Sequence, residues 1–306
     1  MGKRSDYGTN PTLTNYATGV SQDKTSALAE FLAPTVPVGA TVGKHKKFAD
    51  TNDFQVLDTE RALGGPANRI EFGVSDADYN CRPQALEATI DDAERDTAGD
   101  DQLGLEESKT ATLVTSAVLA HEVRVYNQIL AGLPAVSGKG QWSSPDVDPV
   151  DELDGLIEAI ANETGRMPNA LMFGLGAWRK FRNHPKIIAR QPGAQLQGLK
   201  PDAAGGMLLN PSIEVRIGVM AGNLARVGAK RNVKNIAGLN VIVFFRSASP
   251  SLYDPSMAKT FRGNRGGVQS VRLYRDEKHR SDVLAVDWSE DVQVTSAICG
   301  KRLEIS

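Results

Sequence analysis

The most regular pattern of side chains in this sequence runs through residues 105–130. Two sets follow spacings of three and four: Ala111, Val114, Val118, His121, Val125 and Ile129, and Leu119, Val123, Tyr126 and Leu130. Such spacings place each set on one helix face, so the segment predicts a helix about 40 Å long with a wide apolar surface. Acidic residues at its start, including Glu106 and Glu107, interact favourably with the helix dipole.

A second helix is indicated after the Gly-, Ser- and Pro-rich residues 132–149. Asp148 is a good N-cap, Pro149 fits the first helical position and Gly165 fits the end. Its apolar stripe is Leu153, Leu156, Ile157, Ile160 and Ala161. A short strand at 170–174 and a third helix around 177–183 follow, which together predict a compact α/β subdomain.

Alternating apolar and polar positions predict a two-stranded ribbon within residues 46–80. Its strands are expected at 48–57 and 70–74, on either side of a turn at 61–69. An isolated hairpin with few large apolar side chains is only marginally stable, so we expect this ribbon to lie on another surface.

Further strands are predicted near the C-terminal end of the sequence. The candidates are 213–219, 239–246, 268–275, 283–288 and 292–298, the last three antiparallel. The Gly-rich stretch 191–235 otherwise gives no clear assignment, and no internal repeat is found.

Residues 1–47 are interpreted as an extended arm. Pro11, Pro34 and Pro37 interrupt it, and only a short segment at 27–32 has apolar side chains at close spacing. The arm holds six basic and three acidic residues. Two interpretations are open: a disordered tail, or an arm that becomes ordered against another subunit.

Composition narrows the function classes. Of 306 residues 41% are apolar, which suits a packed core, and aromatic residues make up only 6%. Lys and Arg number 35 against 37 acidic residues, so the basic excess typical of proteins that grip nucleic acid is absent. The two cysteines lie far apart, which argues against a disulfide framework or a zinc module. We find no signal-peptide pattern and no long apolar run, so no membrane contact is expected.

Signatures of catalysis or metal binding are weak. The four histidines lie in separate segments, and His121 falls on an apolar stripe, where a core or interface role is expected. The acidic residues at 146–154 fail the EF-hand register, and helix capping explains them better. Residues 174–178, Gly-Leu-Gly-Ala-Trp, begin like a dinucleotide fingerprint but have Arg179 in place of the third glycine. We therefore expect no enzyme activity, no cofactor and no metal.

The order of these parts resembles that of tailed-phage major capsid proteins with the Hong Kong 97-type fold. The resemblance spans nearly the whole chain and is strongest at residues 36–48, 68–81 and 85–92 and in the helix pair around 166–185. It implies an α+β fold with four regions: an N-arm (1–47), an extended loop (48–83), a peripheral domain (84–147 and 251–306, with spine helix 105–130) and an axial domain (148–250).

The candidate contact residues between subunits follow from this map. The arm carries Lys44, Lys46 and Lys47, and residues 87–107 carry nine acidic residues and one basic residue. A solvated face is the simpler explanation of the acidic run, but we hypothesise that the arm lies on it in a neighbouring copy. The acidic candidates are Glu87, Asp91, Asp92 and Glu94, and the loop-tip candidates are Gly64, Gly65 and Arg69.

The resemblance implies a structural virion protein that self-assembles, as hexamers and pentamers, into an icosahedral or prolate head around packaged double-stranded DNA. It implies a portal protein, a separate scaffolding protein and a possible decoration protein as partners, weak non-specific DNA contact, and assembly in the host cytoplasm. Some family members cross-link their loops through a lysine, but no lysine lies between Lys47 and Lys109. The alternatives are an encapsulin-like compartment and a soluble α/β enzyme.

Overall fold

A computed structural model describes residues 8–9, 11–22, 28–47, 60, 75–99, 102–190, 198–223, 225 and 230–306. The helices in these ranges are α1 (Pro11–Gln22), α2 (Ala29–Leu32), α3 (Asp92–Ala98), α4 (Gln102–Gly132), α5 (Pro149–Thr164), α6 (Leu175–Arg182), α7 (Pro185–Arg190) and α8 (Pro201–Gly205). The strands are β1 (Gly8–Thr9), β2 (Thr35–Val38), β3 (Val42–Lys47), β4 (Ser75–Asn80), β5 (Arg82–Asp91), β6 (Ala170–Gly174), β7 (Glu214–Gly218), β8 (Ala221–Asn223), β9 (Val233–Asn235), β10 (Asn240–Phe244), β11 (Ala258–Asp276), β12 (Ser281–Val294) and β13 (Gly300–Glu304).

The chain divides into two compact units, and each is assembled from three separate stretches. The first unit takes the described residues of Met1–Gly43, Tyr79–Asn127 and Thr260–Val292. The second takes those of Lys44–Asp78, Gln128–Lys259 and Gln293–Ser306. Helices and strands alternate irregularly in both, so the predicted α+β class is confirmed.

The first unit is built on a sheet with the strand order β1-β11-β12-β5, and β2 pairs in parallel with β11. β12 and β5 form a long antiparallel ladder that runs from Ser281 opposite Asp91 to Glu290 opposite Arg82. The predicted long helix is confirmed as α4, which spans 31 residues. Its apolar stripe is buried at Val114, Val118 and Val125, as its spacing requires.

The N-terminal region contains a helix that the interpretation as an extended arm missed. α1 begins at Pro11, a residue that is favourable in a first helical turn although it interrupts longer elements. Within residues 11–17 of this helix the buried side chains are Leu13 and Ala17, four residues apart, which gives little periodic signal. Thr14 accepts a hydrogen bond from the Val271 amide at 3.4 Å, so the helix is held on the first unit by tertiary contacts.

The second unit is built on a sheet with the strand order β13-β10-β6-β7, antiparallel except for the parallel pair β6 and β7. The predicted second helix is confirmed as α5. Asp148 accepts the Val150 amide at 3.1 Å as N-cap, and Gly165 adopts a left-handed φ of 63° at the end. The predicted third helix is present as α6, and the strand predicted at 170–174 is β6.

The last part of the chain differs from the prediction of a third antiparallel strand at 292–298. β12 continues to Val294, a 3-10 turn follows at Ala297–Cys299, and β13 then pairs with β10 in the sheet of the second unit. Strand pairing partners are set by tertiary packing, which alternation in the sequence does not specify.

The Gly-Leu-Gly-Ala-Trp segment has a packing role. The Gly176 amide donates to the Gly238 carbonyl at 3.1 Å, and a Cβ on Gly174 would lie 2.3 Å from that same oxygen. Glycine is needed here because the backbone of another segment approaches too closely for any side chain.

Candidate functional site

The acidic candidate surface follows β5 and α3 in the first unit. Glu87 and Asp91 are exposed on β5, and Asp92 and Glu94 begin α3. Each has a contact within its own chain. Glu87 accepts from the Tyr274 hydroxyl at 2.8 Å, and Asp91 accepts the Ala93 amide at 2.8 Å as the N-cap of α3.

The other two acidic candidates form ion pairs. Both carboxylate oxygens of Asp92 accept from the Arg275 guanidinium at 2.6 Å, which is a bidentate pair. Glu94 lies 2.8 Å from the Lys109 ammonium. Because these partners already neutralise Asp92 and Glu94, Glu87 and Asp91 are the members of the set with a full charge still to offer.

The basic candidates lie on β3, which pairs with β4 at the base of the predicted ribbon. Lys44 is exposed, whereas Lys46 lies 2.6 Å from Asp76, and this hydrogen bond lowers the pKa of the Asp76 carboxyl. The side chain of Lys47 lies outside the description. The predicted ribbon strands at 48–57 and 70–74, and the loop-tip candidates Gly64, Gly65 and Arg69, also lie outside the described residues.

The outer edge of β5 presents backbone groups that no strand in the described part of the chain uses. The Asp92 amide donates to the Arg280 carbonyl at 3.1 Å, so even-numbered positions of the ladder face β12 and odd-numbered positions face away. Among the outward positions, Pro83 lacks an N–H and the Thr89 carbonyl accepts from Lys109 at 3.1 Å. Ala85 and Glu87 therefore keep outward-facing backbone groups, next to the exposed carboxylate of Glu87.

A buried charge network that the sequence did not reveal lies on the first unit between α4 and β12. The Glu290 side chain is completely buried, and His121 Nδ1 lies 3.0 Å from its carboxylate. Arg124 donates to the same carboxylate, and Arg262 lies 3.5 Å from it. Burial would raise the pKa of Glu290, but the hydrogen bond and charge of His121, with Arg124, hold it at about 2. His121 itself is buried, so the prediction that it occupies a core or interface position is confirmed.

Glu122, the next residue of α4, is a second buried carboxylate. Its two oxygens accept the backbone amides of Leu28 at 3.1 Å and Ala29 at 2.8 Å, where α2 begins. Burial raises the pKa of Glu122, and these two amide hydrogen bonds oppose that rise. Glu122 thus fastens the residues before β2 to the long helix.

We expect Glu122→Gln to lower the free energy of unfolding by about 1–3 kcal/mol. Glutamine has one acceptor oxygen, so its NH₂ group would face one of the two buried backbone N–H donors, which would then lack an acceptor. Hydrogen exchange should accelerate at Leu28 and Ala29. Glu30→Gln is a matched control, since Glu30 accepts the amide and hydroxyl of Thr35 at an exposed position. Equal losses from the two substitutions would contradict the role of Glu122.

Other kinds of site are not found in the described ranges. No group of three or more His, Cys, Asp or Glu side chains there is arranged to hold a metal ion. No helix in those ranges is long and apolar enough to cross a membrane.

Comparison with known proteins separates the remaining interpretations. No protein-family model matches the chain. It is 25% identical over 280 residues to the major capsid protein of Burkholderia phage BcepMu, and this alignment covers 86% of each chain. It is 26% identical over 229 residues to the major capsid protein of Pseudomonas phage JBD67, which covers 72% of each.

Solved structures agree with these relatives. A phage-related protein from Bordetella bronchiseptica RB50 is similar over 98% of both chains, with a TM-score of 0.75 and 25% identity. The capsid of cyanophage P-SCSP1u matches 89% of this chain and 85% of its own, with a TM-score of 0.51 and 12% identity. The chain has the Hong Kong 97-type capsid fold. The fold and the family resemblance stated from the sequence are confirmed.

The capsid fold is also used by an encapsulin complex from Synechococcus elongatus, which matches 92% of this chain and 87% of its own with a TM-score of 0.56. At 12% identity that similarity shows the fold alone. The relatives found by sequence are capsid proteins of phages, so the phage capsid is better supported than the encapsulin-like compartment or the soluble enzyme.

Proposed function

We propose that this chain is the non-enzymatic structural subunit of a tailed-phage head, which closes through pentamers and hexamers into a shell around double-stranded DNA. The similarity to a phage major capsid protein over 86% of both chains carries this proposal. The outer edge of β5 is consistent with it, since an unpaired strand edge is suited to contact with another chain.

The proposal includes the division into an N-arm (1–47), an extended loop (48–83), a peripheral domain (84–147 and 251–306) and an axial domain (148–250), except that Gln293–Ser306, whose strand β13 pairs with β10, is assigned to the axial domain. It also includes a portal protein and a separate scaffolding protein as partners, a possible decoration protein, weak contact with packaged DNA, and assembly in the host cytoplasm.

Sedimentation of the purified protein with negative-stain imaging tests the main proposal. We expect shells, tubes or rings in the sedimenting fraction. A small oligomer that stays small when the protein is co-expressed with its genomic neighbours would contradict the capsid function. Shells that enclose a cargo enzyme and no DNA would favour the encapsulin-like compartment.

We expect the assembled shell to lack covalent links between subunits. No lysine lies between Lys47 and Lys109, so the loop has no amine to form an isopeptide bond. Intact particles boiled in detergent and reductant should give a single band near 32.9 kDa on a denaturing gel. A ladder of multiples that persists in reductant would overturn this prediction.

We further propose that the basic arm contacts the acidic surface of a neighbouring copy, chiefly through Lys44 against Glu87 and Asp91. The triple variant Lys44→Glu, Lys46→Glu, Lys47→Glu should assemble less than the wild type at low salt and recover as salt rises, because it replaces exposed attractive pairs of about 0.2–1 kcal/mol each with repulsive ones that salt screens. Lys46→Glu also breaks the ion pair between Lys46 and Asp76 inside the subunit. Lys44→Glu alone leaves that pair intact, so a defect in this single variant comes from the contact between copies. Unchanged assembly at all salt concentrations would refute the contact.

A further inference from the structure

Charge is strongly segregated within the second unit, although the whole chain is almost neutral. Residues 164–253 contain thirteen Lys and Arg but only two acidic residues, Asp202 and Glu214. Residues 140–163, which include α5, contain seven acidic residues and no Lys or Arg. Segments of opposite charge in one compact unit can present complementary surfaces to a second copy of the same chain.

One helix of each charged segment, α5 and α6, lies over a different half of one sheet. α5 packs on β10 and β13, whereas α6 packs on β6 and β7, and the strand order is β13-β10-β6-β7. Leu153 and Ile157 of α5 and Phe181 of α6 belong to a single buried cluster, so both helices cover the same face of the sheet. The outer surfaces of α5 and α6 therefore lie on different flanks of one layer, and α7 lies beside α5, where Arg190 pairs with Asp148 at 2.8 Å.

The basic flank carries an apolar groove of about 570 Å³ at the start of α6. Leu175 and Leu239 line it and are 45% and 40% exposed. Arg179 and Arg182, one helical turn apart, border the groove and are exposed. Neither guanidinium has a side-chain partner in the described part of the chain, so the groove combines exposed apolar surface with two available positive charges.

The acidic flank has matching features. Asp151 and Glu158 are seven residues apart on the outer face of α5, exposed, and without a partner among the described residues. Met167, three residues after the end of α5, is 46% exposed and provides a flexible apolar side chain. Arg166, which precedes Met167 in the sequence, lies over the ring of Phe245, with its guanidinium carbon 5.5 Å from the ring centre.

We propose that the outer face of α5 in one copy, with Met167, docks on the α6 groove of the next copy, and that this is the contact that closes the rings. This inference rests on the proposed capsid function and specifies one of its interfaces. A head-to-tail contact needs two different, complementary surfaces on each copy, and repetition of one such contact closes a ring. The opposite flanks of the second unit meet that requirement, with Asp151 and Glu158 facing Arg179 and Arg182.

Charge exchange tests the contact. The groove variant (Arg179→Glu with Arg182→Glu) and the helix variant (Asp151→Lys with Glu158→Lys) should each reduce the sedimenting, assembled fraction at least tenfold. The variant that carries all four changes should restore it to within about threefold of the wild type. Lys200→Glu with Lys278→Glu, at exposed positions, makes the same charge change as the groove variant and should assemble normally.

A mixture of the two defective variants gives a sharper outcome. When copies alternate, every groove meets a helix of opposite charge, and alternation closes a six-membered ring but not a five-membered one. The equimolar mixture should therefore form hexamers, sheets or tubes without closed shells. A cooperative thermal unfolding transition of each unassembled variant shows that it is folded. If a charge-reversal variant does not fold, the neutral variants Arg179→Gln with Arg182→Gln, or Asp151→Asn with Glu158→Gln, take its place.

Wild-type protein that never assembles would overturn the proposed function itself. Wild-type protein that assembles, with groove variants that assemble equally well or are not restored by the helix changes, would overturn only this interface. If groove variants form normal shells that fail to retain DNA, the basic flank contacts nucleic acid and the inference is wrong.

Discussion

Glu290→Gln should lower the free energy of unfolding of the unassembled subunit by about 3 kcal/mol. The substitution removes the one negative charge that His121, Arg124 and Arg262 share, and breaking a buried ion pair from one side costs roughly 3–5 kcal/mol. The lower end applies because the Arg124 and Arg262 side chains are 33% and 24% exposed and can recover contact with water. Denaturant unfolding at neutral pH measures this loss.

The same carboxylate predicts a pH dependence with a definite sign. Its pKa falls from an ordinary value of 4.5 to about 2 on folding, so its stabilisation is complete above pH 4.5. It is lost as the pH falls towards 2, by about 3 kcal/mol in all. The Glu290→Gln variant lacks this component, so its stability should fall less steeply over that range.

Asp287→Asn is the matched control on the same strand. Asp287 lies 3.8 Å from Arg272, and both side chains are about half exposed, so its loss should cost less than about 1 kcal/mol. Similar losses from Glu290→Gln and Asp287→Asn, or the same acid sensitivity in both variants, would contradict the role given to the buried network.

Phe173→Ala should destabilise the second unit by about 3–5 kcal/mol. Phe173 is fully buried on β6, and its ring centre lies 5.1 Å from that of Phe181 and 5.3 Å from that of Trp178. Removing a buried phenyl group loses its transfer free energy and leaves a cavity that the surrounding rings fill only in part. Because Trp142 and Trp178 lie in this cluster, tryptophan fluorescence follows its unfolding directly.

Ile188→Ala is the control for Phe173→Ala. Ile188 is 54% exposed on α7, so its truncation should change the free energy of unfolding by less than about 1 kcal/mol. A loss below about 1 kcal/mol for Phe173→Ala would show that the aromatic cluster is not the core of the second unit.

Elements with local signals could be predicted from the sequence. α5 is marked by its own residues: Asp148 caps it, Pro149 begins it and Gly165 ends it. α4 is marked by apolar stripes that repeat between residues 111 and 130, over about five turns. These signals depend on neighbours within a few residues, so they are visible without knowledge of the fold.

Features that depend on distant partners could not be predicted in this way. β13 reads as an ordinary short strand, and only the packed structure determines that it pairs with β10. α1 has too short a stripe to be recognised before its contacts are known. In the Glu290 network, His121 and Arg124 of α4 lie 169 and 166 positions before Glu290 in the chain. The sequence near Glu290 resembles that of any acidic turn and gives no sign of these contacts. The intrachain partners of the candidate residues Asp92, Glu94 and Lys46 could not be predicted from the sequence either.

The three-part construction of each unit has a consequence for synthesis on the ribosome. The first unit needs β12, the partner of β5, and the second needs β13, the partner of β10. Neither can be completed while the ribosome is still translating residues before 281, so both must finish folding after nearly the whole chain has emerged. We therefore expect that an incomplete chain cannot join an assembling shell. A fragment that ends at Gly43 or at Asp78, where the first stretch of each unit ends, cannot fold as that unit.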